Sequence, residues 1–327
     1  MYDPEAGLLT LDQITCARQV LQTSGLCYHT PVLHHVQTLC GLDTDIDLYL
    51  KLENMQNTGS FKIRGVVNQM AHIPATAARG QTHLISMSAG NFGKAFAYMV
   101  QQQGLKGTVF MPDTAPANRA ELIKSYGLDV ERMPTSELQP AVDRCVRERQ
   151  MHYLHPFDDI NLMAGHGSVG LEILEDVPYP DVVVVCCGGG GLLGGTAAAI
   201  KLSGRNNTRV YGVEPEGAPS MFESRKAGKP VGVQVKTVAA GLAPPYAGPN
   251  AYKHNVAFVE DVVLVSDDEI VAAVRRLFSR GLVVEPSGAA AFAALMSGKI
   301  PDMKGRKVVV VITGGNVTTQ ELNNICG

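Results

Sequence analysis

The 327-residue chain has no run of like charge, no apolar stretch of spanning length, no basic leader and no paired-cysteine motif. Each absence excludes a class. Lysine and arginine total 28 against 31 acids, a formal charge of −3, so a nucleic-acid-binding face is not expected. The longest apolar runs, such as Val182 to Cys187, are strand-sized and far below the ~18 residues of a membrane-crossing helix. The opening MYDPEAGLLTLDQI carries acids and a proline, and no secretory or transit signal is expected from it. The cysteines (Cys16, Cys27, Cys40, Cys145, Cys186, Cys187 and Cys326) are odd in number and lack a CxxC pair, which argues against a disulfide framework or a zinc site. Adjacent Cys186 and Cys187 read as buried small hydrophobes. Reduced thiols point to a cytoplasmic protein.

What remains is a soluble globular enzyme of ordinary composition, 45% apolar and 18% charged, long enough for two domains. Helical and strand patterns alternate, which predicts an α/β fold of largely parallel sheet. Helices are expected over 11–24, 65–72, 93–103, 116–126, 141–150, 167–174, 193–202, 267–280 and 288–296. Strands are expected over 47–52, 83–87, 108–111, 129–133, 181–187, 210–214, 262–265 and 307–313. The segment HPFDD (155–159) interrupts the pattern. We therefore divide the chain into a large domain of residues 1–82 and 157–327 and a small one of 83–156, each an open, mostly parallel sheet flanked by helices.

Two stretches carry chemistry. Gly188, Gly189, Gly190 and Gly191 stand between a buried strand and a helix. There, backbone N–H groups can approach an anion with no side chain in the way, and the helix dipole favours negative charge. A phosphate suits the place. The run also spells G-x-G-x-x-G (Gly189, Gly191, Gly194), with Glu214 closing the next strand, which keeps an NAD-dependent oxidoreductase open as a distant alternative. The second stretch is TGSFKIRG (58–65), which sets Lys62 in a loop beside Phe61. A lysine that works as an amine needs a pocket that lowers its pKa and an apolar wall, which Phe61 could supply.

TGSFKIRG, MSAGNFG, HPFDD, GGGGLL, VEPEGA, VEPSGA and ITGGN occur in the order seen in the serine/threonine dehydratases. From about Thr30 to Asn316 the chain resembles that ammonia-lyase family of fold type II pyridoxal-phosphate enzymes, which is tryptophan synthase β-like in fold and includes serine racemase. The resemblance implies that Lys62 holds pyridoxal 5'-phosphate through its amine and removes the substrate's α-proton. It implies that Phe61 stacks on the ring and that Gly188, Gly189, Gly190, Gly191 and Leu192 cradle the phosphate. Asn91 would bond the ring hydroxyl, and Thr313, where relatives carry serine or cysteine, would face the ring nitrogen. The loop Ser88, Ala89, Gly90, Asn91 and Phe92 would bind the substrate carboxylate, Ser88 by its side chain.

The implied reaction is β-elimination of water and ammonia from an L-hydroxy-amino acid such as L-serine, L-threonine or L-threo-3-hydroxyaspartate, leaving a 2-oxo acid. A racemase is the alternative. Racemases of this family place an acid/base serine where this chain has Ala89, and alanine transfers no proton. Phe92 replaces the usual histidine. A non-catalytic binding protein on the same fold is a further alternative with little support. Glu214, Ala218 and Ser220, with the carbonyls of Ala240 and Leu242, match the place where dehydratases hold a monovalent cation such as potassium. Magnesium or calcium is less expected, because Ser220 stands where racemase-like members put a second acid. His155, Asp158 and Asp159 read as a hinge and helix-start cluster. The chain ends eleven residues after Asn316, so an appended regulatory domain and isoleucine feedback are not expected. A homodimer is expected.

Overall fold

The computed structural model describes residues 7–38 and 45–327; Cys40 lies outside them. In chain order the strands are β1 (Val32–Leu33), β2 (Asp47–Leu52), β3 (Leu84–Met87), β4 (Gly107–Pro112), β5 (Asp129–Met133), β6 (His152–Tyr153), β7 (Val182–Cys186), β8 (Arg209–Pro215), β9 (Asp261–Val265) and β10 (Lys307–Ile312). The helices begin with α1 (Leu11–Ser24), α2 (Lys62–Ala71), α3 (Ala75–Ala78), α4 (Asn91–Gln102), α5 (Ala117–Ser125) and α6 (Thr135–Arg149). They continue with α7 (Ile160–Asp176), α8 (Gly191–Leu202), α9 (Ser220–Ala227), α10 (Pro249–Phe258), α11 (Asp267–Phe278), α12 (Pro286–Met296) and α13 (Thr319–Cys326).

The strands form a six-stranded sheet ordered β1-β2-β10-β7-β8-β9 and a four-stranded sheet ordered β5-β4-β3-β6. Every pairing is parallel except β1 with β2. The fold is the expected α/β arrangement of two parallel-sheet domains with flanking helices. Alternation explains why the larger sheet is buried on both faces. Val182, Val184, Val308 and Val310 point into one apolar cluster with α11 and α12. Val183, Val185, Val309 and Val311 point into another with α1, α7 and α8. The smaller sheet packs α2, α4 and α5 on one face and α6 on the other.

Local signals set the ends of several elements. Thr10 and Gln13 close a capping box on α1, which Gly25 ends in the left-handed conformation. The Asp159 carboxylate accepts from Leu162 N at 2.8 Å and starts α7 seven residues before its expected beginning. Helix α6 starts six residues early and runs through Pro140, which sequence reading treats as a breaker.

A buried ionic knot fixes the start of α2. Arg64, 1% exposed, donates to Glu53 Oε2 and Glu172 Oε1, each at 2.7 Å. Lys51 pairs with Glu172 at 2.8 Å and Asp176 at 3.0 Å. Removing one member of such a knot strands a buried charge, which typically costs about 3–5 kcal/mol.

Candidate active site

Ligands of open parallel sheets bind at the carboxyl ends of the strands, and the residues singled out above follow those ends. Ser88 follows β3, Gly188 follows β7 and Thr313 follows β10. After β2 two short 3-10 turns intervene, within which Thr58 (φ 66°) and Gly59 (φ 76°) adopt left-handed conformations. Ser60 then bridges Gly314, and Phe61 N donates to Thr313 O at 3.1 Å, which ties the lysine segment to β10. The expected loop around Lys62 is corrected here. Lys62 is the first residue of α2, because nothing from Lys62 to Arg64 resists helix and the turn is completed by Thr58 and Gly59.

Lys62 is half-buried. Its Nζ donates to Pro156 O at 2.9 Å and lies 5.1 Å from the Phe61 ring centre and 5.8 Å from that of Phe92. Burial pulls its ammonium down to about 8 from the ordinary 10.5, so about a tenth of it is free amine at pH 7, against a few parts in ten thousand for an ordinary lysine. Phe61 stands against His166 with ring centres 4.9 Å apart. Phe92 is buried and stacks on Phe96.

At the glycine run the space for side chains is already taken. A Cβ on Gly189 would enter the Phe157 ring, and one on Gly191 would strike the Phe157 carbonyl. Gly190 has φ 93° and caps α8. Among the described residues the N–H groups of Gly189, Gly190, Gly191 and Leu192 have no backbone or side-chain acceptor. Four unpaired donors at a helix N-terminus suit a phosphate.

The substrate-loop candidates follow β3 of the smaller sheet. Ser88 Oγ accepts from Gly90 N at 3.2 Å, and Gly90 caps α4, whose first residue is Asn91. Asn91 Nδ2 donates to Glu285 Oε1 at 2.5 Å, while its Oδ1 accepts from Asn316 Nδ2 at 2.8 Å. Asn316 Nδ2 also donates to Thr58 O at 2.8 Å, and Lys94 Nζ donates to Asn316 Oδ1 at 2.7 Å. Burial pushes Glu285 up to about 7. Thr313, 2% exposed, lies 3.2 Å from Cys186 Sγ, and burial keeps that thiol protonated by raising it to about 11. Pro156, Glu285, Asn316, Lys94 and Cys186 escaped sequence reading as site residues. The motifs HPFDD, VEPSGA and ITGGN flagged three of them, and nothing in the sequence paired Lys94 with Asn316.

The hinge cluster holds backbone. His155 Nδ1 accepts from Asp158 N at 2.9 Å and Phe157 N at 3.3 Å, and burial lowers its imidazole to about 4. Asp158 Oδ1 accepts from Ala251 N at 2.9 Å. At the candidate cation place, Glu214 is fully buried and accepts from Met221 N and Phe222 N at 2.8 Å and from Ser220 Oγ at 3.2 Å. It is fully buried where it caps α9, so a ribose hydroxyl cannot reach it as a dinucleotide site requires. Gly194, the last glycine of that motif, packs inside α8 against His254. Ala218 is buried two residues before α9. Among the described residues no cluster of three His, Cys, Asp or Glu could hold a metal, and no helix is long and apolar enough to cross a membrane.

A lysine made partly neutral by burial and a run of unpaired N–H groups at a helix N-terminus, both beyond the carboxyl ends of strands of the larger sheet, are what amine chemistry on a phosphate-bearing cofactor requires. The family model described as pyridoxal-phosphate dependent enzyme matches residues 24–314, and the chain belongs to that family. It is 38% identical over 295 residues to L-threonine ammonia-lyase of Geobacter sulfurreducens, covering 89% of this chain and 71% of that one. Among solved structures, serine racemase from Dictyostelium discoideum is similar at TM-score 0.84 and 31% identity, covering 95% and 99%. The processed form of threonine deaminase isoform 2 from Solanum lycopersicum is similar at TM-score 0.86 and 27% identity, covering 96% and 87%.

Proposed function

We propose that the chain is an ammonia-lyase that removes water and ammonia from an L-hydroxy-amino acid, with L-threonine and L-serine as first candidates and L-threo-3-hydroxyaspartate as the third. The observation that carries it is Lys62, an amine lowered to about 8 at the strand ends that also present the glycine nest. The residues fit pyridoxal phosphate: Gly188, Gly189, Gly190, Gly191 and Leu192 would hold the phosphate, and Phe61, Asn91 and Thr313 the ring. Bound there, the group supplies an electron sink for the α-carbon. Lys62 Nζ takes the α-proton, and the Ser88–Phe92 loop fixes the substrate carboxylate at the start of α4. Ala89 leaves the opposite face without a proton donor at that position, which favours elimination over racemisation.

Glu214 supports a monovalent cation as part of this reading. Its donors are all neutral, and burial pushes the carboxyl up to about 7. A potassium ion held by Glu214, the Ala218 carbonyl and Ser220 would supply the missing positive charge. A cytoplasmic homodimer, with residues 83–156 as the substrate-loop domain, completes the proposal, and light scattering tests the dimer. The function itself is tested by incubating the purified protein with pyridoxal phosphate and each of the three amino acids while following 2-oxo acid. Release with one of them is the expected result. D-serine formed from L-serine without oxo acid would transfer the reading to a racemase.

A further inference from the structure

Lys94, Asn316, Asn91 and Glu285 form one continuous chain of hydrogen bonds between the two sheets, with steps of 2.7, 2.8 and 2.5 Å. A side-chain amide has no sense of its own, because a half-turn exchanges its oxygen and nitrogen, and only its neighbours decide. The neighbours here decide. The Lys94 ammonium can only donate, so the Asn316 atom facing it is Oδ1. The Thr58 carbonyl can only accept, so the atom facing it, at 2.8 Å, is Nδ2. The second hydrogen on that nitrogen requires an acceptor, which turns Oδ1 of Asn91 toward Asn316 and Nδ2 of Asn91 toward Glu285. Glu285 is the weaker anchor, since burial brings it up to about 7 and a protonated carboxyl can also donate. Lys94 and the Thr58 carbonyl are the fixed ends.

The result is felt at Asn91. Its Nδ2 carries two hydrogens. Glu285 takes one, and the other stays available beside Gly314, next to Thr313. We infer that Lys94 is a positioning residue which, through Asn316, makes Asn91 present a donor to an acceptor oxygen on the bound cofactor. This rests on the reading of Asn91 as a cofactor contact. Lys94 itself donates to Asn316 and acts through it.

The test compares wild type, Lys94→Met, Lys94→Gln and Asn316→Asp. Each is stripped of cofactor and titrated with pyridoxal phosphate, and its visible band is recorded against pH. Lys94→Met should bind pyridoxal phosphate about tenfold more weakly and shift the pH dependence of the band, the loss of one charge-assisted orienting bond. Lys94→Gln keeps an N–H donor and should stay within about threefold of wild type. Asn316→Asp accepts at both oxygens and cannot donate to Asn91, so it should reproduce the Lys94→Met loss even if Lys94→Met fails to fold. Wild-type affinity and band in Lys94→Met would overturn the inference, and so would a lower Tm with both unchanged. A wild-type protein that never colours would instead sink the cofactor reading itself.

Discussion

The glycine nest and the substrate loop both lie where a strand gives way to a helix, yet they are built in opposite ways. Behind the nest, β7 is buried along its whole length and packed on both faces. At Gly188, Gly189, Gly190 and Gly191 an added Cβ would meet neighbouring atoms, backbone among them. At Gly90 it would meet nothing within 4 Å. The smaller sheet ends in β5, where exposed residues predominate, and α6 covers one of its faces alone. A densely packed interior holds position, whereas sparse contact permits local movement. The packing therefore holds the glycine run rigid and leaves more freedom at the Ser88–Phe92 loop, which suits the proposed division into a phosphate nest and a substrate loop.

The largest effect that would sharpen this comparison comes from Lys62→Ala. Oxo-acid production should fall by about four orders of magnitude or more, since the proton acceptor of the proposed reaction is gone. A visible lysine-linked band in wild type and its absence in the variant is the check. Next come two alanines. Gly191→Ala forces a methyl into the Phe157 carbonyl and should cost about 2 kcal/mol in urea unfolding while abolishing phosphate binding. Gly90→Ala has open space and should stay within about 0.5 kcal/mol. Equal losses at both positions would erase the contrast between the two loops.

A smaller effect concerns Glu214. Replacing potassium by choline should lower the Tm by about 1.5 °C, the equivalent of about 1 kcal/mol for a chain of this size. Glu214→Gln should make the Tm indifferent to the ion. A wild-type Tm that ignores potassium removes the cation from the proposal.

How far the sequence is legible follows the same contrast. Strands buried on both faces, such as VVVVC and KVVVVI, announce themselves, and α1 lies at its expected residues 11–24 because its cap is written in Thr10, Gln13 and Gly25. The short elements β1, β6 and α3 carry too few residues for a period to show. Helices α9, α10 and α13 were also missed. The first is capped by Glu214 at the end of the preceding strand β8, seven and eight residues before the N–H groups it accepts from, a spacing outside the N-cap pattern by which a helix start is read. The candidate site divides likewise. Lys62, the glycines and Asn91 stand in contiguous motifs, while Lys94 with Asn316 and Thr313 with Cys186 meet only after folding, across 222 and 127 residues.

The last test asks whether the lysine platform is as dry as its pKa implies. In the cofactor-free protein Lys62 titrates at about 8, against 10.5 ordinarily, because burial penalises the charged form. The unfolded chain therefore binds this proton more tightly than the folded one. Between pH 8 and 10.5 the unfolded state carries the extra proton, so folding gains stability as pH rises through that window. Below pH 8 both states are charged and the full penalty applies. Lys62→Met carries no charge to bury, and its Tm advantage over wild type should be widest at pH 8 and below, then narrow toward pH 10.5. An advantage that stays constant over this range would mean that the ammonium is solvated. Lys62 would then owe any reactivity to the bound cofactor alone, and the rigid side of the comparison would lose its electrostatic half.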